Sequence, residues 1–122
     1  MKKLLILLIL LSVSLFAFSQ NYITECRAYK PKGSQQFGSC IDINVPVYIS
    51  QGSVRIGNNT YELGSTGGKT VDRFGNVVYL YIAMDSEDRP VDIQINYIKE
   101  TGRAKFIYLI YSDGEEYCYI LQ

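Results

Sequence analysis

Residues 77–121 read VVYLYIAMDSEDRPVDIQINYIKETGRAKFIYLIYSDGEEYCYIL, and this stretch decides the fold class. Four segments within it, Val77–Met84, Val91–Ile98, Ala104–Tyr111 and Glu116–Leu121, have strand lengths and either alternate or run apolar. Turn chemistry separates them. Asp113-Gly114 is a strong two-residue hairpin signal, and Glu100-Thr101-Gly102 suits a short loop closed by a glycine bulge. No helix longer than a turn is indicated after residue 19. The expectation is an all-β domain, a small antiparallel meander over 77–121 that closes with upstream strands into a barrel or two-layered sheet. Closure limits the exposed edges.

Turns set the register, and register sets which side chains share a face. The two C-terminal turns pair Ile95 with Ile107 and Ile93 with Leu109, then Leu109 with Cys118 and Ile107 with Ile120. Val91, Ile93, Ile95, Ile107, Leu109, Cys118 and Ile120 then share one face, to which the same parity adds Val78, Leu80, Ile82 and Met84. This aliphatic face is the expected core. The opposite face holds Tyr79, Tyr81, Asp92, Gln94, Asn96, Phe106, Tyr108, Ile110, Tyr117 and Tyr119. Within it Tyr81, Gln94, Tyr108 and Tyr119 form a cross-strand row and are the candidate ligand-binding residues. Tyrosine offers a large apolar area with a polar tip, and the glutamine amide both donates and accepts hydrogen bonds. Aromatic cross-strand pairs also stabilise sheets without binding anything, so the row is a site only if it stays exposed together.

Upstream the pattern weakens. Residues 20–46 are the least determined, with a strand expected over Tyr22–Tyr29 and a polar loop over Lys30–Ser39. Val47–Ser50 reads as a short strand. SVRI and TYEL then form a hairpin with Asn58-Asn59 at its turn, which pairs Arg55 with Glu62, Ile56 with Tyr61 and Val54 with Leu63. The glycine-rich residues 64–76, GSTGGKTVDRFGN, read as an exposed loop.

The first 19 residues, MKKLLILLILLSVSLFAFS, have the form of a secretory signal peptide: Lys2 and Lys3, an apolar run, then Ala17 and Ser19 as small residues before a cleavage site. The apolar run Leu4–Phe18 covers 15 residues, short of the roughly 20 a spanning helix needs. Residues 20–122 are then a single small domain of an exported protein, periplasmic or secreted. The whole chain balances 12 Lys+Arg against 12 Asp+Glu, and loss of the leader removes two lysines. A near-neutral, slightly acidic domain gives no reason to expect nucleic acid, or a membrane after signal cleavage, as partner.

Three cysteines in an exported chain imply one bridge and one leftover thiol. Cys26–Cys40 is the expected disulfide, because it ties down the turn-rich N-terminal segment; the rival pairings join Cys118 to Cys26 or to Cys40. Cys118 is then a small buried hydrophobe on the aliphatic face.

The chain contains no histidine, which excludes Ser-His and Cys-His nucleophile pairs and histidine metal ligands. GSTGGKT is not a phosphate loop: four residues must separate the first glycine from Gly-Lys-Thr, and Gly64 lies one residue too close. Asp85, Glu87 and Asp88 lack the glycine and terminal glutamate of a calcium-binding EF-hand loop. Asn58-Asn59-Thr60 matches a glycosylation acceptor, relevant only in a eukaryotic source. Neither a metal nor a cofactor is expected. The functional expectation is a non-catalytic binding or protein-interaction module for a protein, peptide or glycan. The alternatives are a structural envelope protein and a small carboxylate-dependent hydrolase, which would need two of Glu62, Asp72, Asp92 and Glu115 to converge.

Overall fold

Alternation of apolar and polar residues is clear over residues 53–56 and 91–96 of the protein, whose computed structural model describes residues 20–122. The strands are β1 (Gln20–Lys30), β2 (Ile41–Asp42), β3 (Pro46–Ile49), β4 (Ser53–Ile56), β5 (Asn59–Val71), β6 (Val77–Met84), β7 (Pro90–Tyr97), β8 (Ala104–Tyr111) and β9 (Glu116–Leu121). All pairings are antiparallel, in the order β2-β1-β3-β4-β5-β6-β7-β8-β9, and β1 also pairs with β9. Strands β2 and β3 follow one another along the same edge of β1. The result is an all-β, closed eight-stranded up-and-down barrel with β2 as an extra short strand, and no helix among the described residues. The leader expected over residues 1–19 lies outside the described residues.

An eight-stranded barrel is just wide enough for side chains to fill it. Val47, Val54, Ile93, Ile95, Ile107, Leu109 and Leu121 do so here, all at 1% exposure or less. The β7–β8 register is the expected one, with Ile95 opposite Ile107 and Ile93 opposite Leu109. Asp92 is exposed and Gln94 half-buried on the outer surface.

Three expectations about register and one about a loop are corrected. Tyr119, not Ile120, faces Ile107, and Cys118 faces Tyr108. The turn is a three-residue loop, Ser112-Asp113-Gly114: the Tyr111 amide donates to the Glu115 carbonyl at 2.9 Å, and Gly114 adopts φ +97°. Glycine at this left-handed position forms the bulge that a two-residue turn lacks. The extra residue exchanges the faces of β9. Tyr117, Tyr119 and Leu121 point inward, while Cys118 and Ile120 point outward.

The parity assigned to β6 is reversed for the same reason. Its turn to β7 is also three residues long, closed by the Asp85 amide donating to the Arg89 carbonyl at 2.9 Å. Tyr81 therefore faces Ile93 and Ala83 faces Val91. Leu80, Ile82 and Met84 lie outside, with Ile82 53% exposed.

In the β4–β5 hairpin the turn is Gly57-Asn58, pairing Val54 with Tyr61 and Arg55 with Thr60. Gly57 takes a positive φ of +59°, as the first central position of a type II′ turn requires. This slip is by two residues, so the faces survive it. Residues 64–71 are strand rather than loop. They pair with β6 through two register irregularities, leaving only the turn at 72–76 outside the sheet.

The disulfide joins Cys26 to Cys40, with Cα atoms 5.4 Å apart. It holds the 31–40 loop beside the outer face of β1, β9 and β8, where the Phe37 ring lies 6.4 Å from that of Tyr108. Cys118 is buried on this outer face, not on the aliphatic core face.

Candidate functional site

The barrel rim is uneven at the end where β1 begins. Strand β3 stops at Ile49 and β4 starts at Ser53, whereas β5, β6 and β7 continue to Val71, Val77 and Tyr97. Beyond Leu63, β5 pairs only with β6 among the described strands. The inner face of β6 and β7 therefore stands above the low rim formed by Ile49, Ser50 and Gln51. Between them lies an open cavity of about 510 Å³, lined also by Gln20, Thr66, Tyr79, Tyr81 and Tyr97.

The three tyrosines build the wall. The rings of Tyr79 and Tyr81, two residues apart on one face, lie 6.1 Å apart and 20° from parallel; Tyr97 meets Tyr79 edge-on at 5.7 Å. Lys69 Nζ sits 5.8 Å from the Tyr79 ring, within cation–π range. Burial raises the Tyr81 and Tyr97 phenol pKa values, and neighbouring phenols add to it. Both hydroxyls stay protonated at neutral pH. The other side chains lining the cavity are the aliphatic Ile49 and Val77 and the amides and hydroxyls of Gln20, Ser50, Gln51 and Thr66, and no carboxylate is among them. Such a surface stacks on an apolar ring face and exchanges hydrogen bonds with uncharged polar groups.

The opposite mouth is occupied by its own side chains. Tyr61, Tyr111, Tyr117 and Tyr119 leave a cavity of only about 190 Å³ beside Asp85 and Arg89. Asp85 is buried and fully engaged: Oδ1 accepts from the Glu87 and Arg89 amides at 2.9 and 2.8 Å, and Oδ2 from Arg89 Nε and the Tyr111 hydroxyl, both at 3.0 Å. Burial alone raises its pKa, but these bonds outweigh it and hold the carboxyl below the usual range. It is therefore an anchor, the reverse of the raised carboxylic acid that glycoside hydrolysis uses.

The expected row does not form. Tyr81 lies inside the open mouth, while Tyr119 is buried near the other one at 6% exposure. Gln94 and Tyr108 remain neighbours on the outer surface, where Gln94 donates to Asn96 Oδ1 at 3.1 Å and Tyr108 packs against Phe37 and faces Cys118. Sequence reasoning missed Tyr79 and Tyr97, together with the rim at Gln20, Ser50, Gln51 and Thr66. A three-residue count for the β6–β7 turn finds the tyrosines, because it pairs odd with odd and brings Tyr79 and Tyr81 onto the face of Ile93 and Ile95. The four carboxylates stay apart: Asp72 and Glu115 belong to turns at opposite ends of the barrel, and β6 separates the outer-face Glu62 from Asp92. Compared with protein-family models, curated proteins and solved structures, the chain matches none.

Proposed function

We propose that the protein is an exported, non-catalytic binding module whose ligand rests on the Tyr79–Tyr81–Tyr97 wall. The observation that carries this reading is an open, aromatic-lined cavity of about 510 Å³ in the mouth of an otherwise filled barrel. Barrel mouths are favoured ligand sites, and pockets for small ligands run to roughly 300–1,000 Å³. The uncharged lining favours a neutral glycan, whose ring face stacks on tyrosine while its hydroxyls meet Gln51, Ser50 and Thr66. Export is supported by the residue pattern of the leader and is compatible with the disulfide.

One observation favours a second ligand class. Among the described residues the upper edge of β5 has no strand beside it on the β4 side, so an extended peptide can add there by main-chain hydrogen bonds and place a side chain in the mouth. Screening residues 20–122 against a glycan array and a displayed random-peptide library separates the two. Tyr79→Ala should weaken the selected ligand by about tenfold or more, as loss of an aromatic anchor does, with the melting temperature used as the folding control. Selection of nothing, or of ligands indifferent to Tyr79 and Tyr81, refutes the reading.

A further inference from the structure

The near-neutral charge of the domain conceals a segregation along the barrel axis. The turns at the closed end carry Asp85, Glu87, Asp88, Asp113 and Glu115 against Arg89, while the open end carries Lys69, Arg73, Lys99 and Arg103 against Asp72 and Glu100. At that basic end the last residue of β5 and the β5–β6 turn project two large apolar side chains, Val71 at 61% and Phe74 at 67% exposure; Phe74 is the most exposed large apolar side chain among the described residues.

The turn is built to hold them out. Asp72 Oδ1 accepts from the Phe74 and Asn76 amides, each at 2.9 Å, and the Asp72 amide donates to the Asn76 carbonyl at 2.9 Å. Asn76 Oδ1 in turn accepts from the Lys99 amide at 3.0 Å, which ties the turn to the β7–β8 loop. These bonds also occupy the carboxylate of Asp72, one of the two acids at this end. The Arg73 guanidinium lies 4.8 Å from the Phe74 ring. The Lys99 side chain runs along Gly75, at 2.9 Å from the place of a Cβ there. Apolar side chains presented on a hydrogen-bonded turn and flanked by cations match an anionic bilayer, where rings enter the acyl boundary and the cations stay among phosphates.

We propose that the domain docks on anionic lipid bilayers through Val71 and Phe74, with Arg73, Lys99 and Lys69 on the headgroups and the open mouth turned toward the lipid. Val71, Arg73, Phe74 and Lys99 lie outside the cavity lining, so the proposal does not rest on the mouth being a ligand site. The acidic turns at the far end reinforce the orientation, because an anionic surface repels them.

The test uses residues 20–122, a closed barrel with its own core, and two kinds of vesicle. One is phosphatidylcholine alone and the other is phosphatidylcholine with phosphatidylglycerol as about a third of the lipid. Co-sedimentation should be seen with the anionic vesicles, should fall as salt is raised, and should be weakened about 25-fold or more by Arg73→Glu combined with Lys99→Glu, since each basic residue near such a surface contributes roughly a fivefold factor. Phe74→Ser should weaken it severalfold at unchanged thermal stability. Phe74→Trp should show a blue-shifted emission on the anionic vesicles, a readout that attraction through charge alone does not produce. Absence of binding to anionic vesicles overturns the proposal. So does binding that depends on Arg73 and Lys99 but not on Phe74, which marks a general polyanion contact. Tyr81→Ala, in the cavity wall and without a contact to the docking cations, should leave vesicle binding intact, so failure of the mouth as a ligand site and failure of docking give different results.

Discussion

Replacing Asp85 by alanine tests whether the closed mouth is locked by the carboxylate that ties β6 and β7 to β8. The substitution removes four accepted hydrogen bonds, and their costs differ with exposure. Tyr111 is 9% exposed, so its hydroxyl loses a buried acceptor, at about 1–3 kcal/mol. Arg89 is half exposed and regains water, so that ion pair contributes only about 0–1 kcal/mol. The two turn amides are solvated once freed, and their loss adds roughly 0.5–1.5 kcal/mol. The expected destabilisation is about 2–4 kcal/mol, a fall in melting temperature of roughly 10–30 °C for a domain of this size. Thermal and urea unfolding followed by circular dichroism measure it. The pH dependence follows from the same bonds. Native Asp85 titrates below its unfolded value of about 3.9, so its contribution is complete above that pH and is lost as pH falls through the lowered native value. Asp85→Asn should flatten that part of the acid limb. A loss below about 1 kcal/mol in the alanine variant, together with an unchanged acid limb in the asparagine variant, refutes the anchor.

The β9 register predicts that Tyr119→Ala costs about 3–5 kcal/mol, as truncation of a buried aromatic does, whereas Ile120→Ala on the outer face costs clearly less; the reverse order in urea unfolding points to the other register. Cys40→Ser, which opens a loop of 14 residues' separation, should cost about 3 kcal/mol in the chain-entropy model. Burial raises the Cys118 thiol pKa, so in the native protein it should resist alkylation at neutral pH and react only on unfolding; rapid native labelling followed by mass spectrometry contradicts its placement.

How much of the fold is legible in the sequence depends, strand by strand, on whether polarity distinguishes the two faces. In β7 it does: Val91, Ile93 and Ile95 alternate with Asp92, Gln94 and Asn96, so parity is fixed by composition and the pairing with β8 follows. In β6, VVYLYIAM, and in β9, EYCYIL, apolar and aromatic residues occupy both faces. Hydrophobicity cannot choose a parity there, and the turn decides. Both adjoining turns, Ser86-Glu87-Asp88 and Ser112-Asp113-Gly114, hold three residues, with a left-handed residue last. Counting either as even reverses a strand. Strand β5 is hidden differently. Gly64, Gly67 and Gly68 have no side chains to alternate, so its strand character comes from main-chain bonds to β6, which no residue pattern records.

The same ambiguity hid the site, and the tyrosines show why. Of the 11 tyrosines, only Tyr48 and Tyr108 stand on the outer surface; the others follow the inner side of the barrel toward its two ends. Tyrosine suits a rim, because its ring can join the aliphatic layer of Ile93, Ile95, Ile107 and Leu109 while its hydroxyl reaches toward water. What separates the two ends is how those hydroxyls are used. At the closed end Tyr111 donates to Asp85 at 3.0 Å and Tyr29 to Glu115 at 2.7 Å, the latter bond raising the Tyr29 pKa to about 12. Side chains satisfy one another there and the space shrinks to about 190 Å³. At the open end Tyr22 is engaged by the Ala104 amide at 2.9 Å, but Tyr79, Tyr81 and Tyr97 meet mainly one another's rings around a cavity of about 510 Å³. The short β3 and β4 keep the opposing wall from closing over them. Tyrosine content alone marks both rims equally; the unequal strand lengths leave one of them with aromatic surface still to be covered.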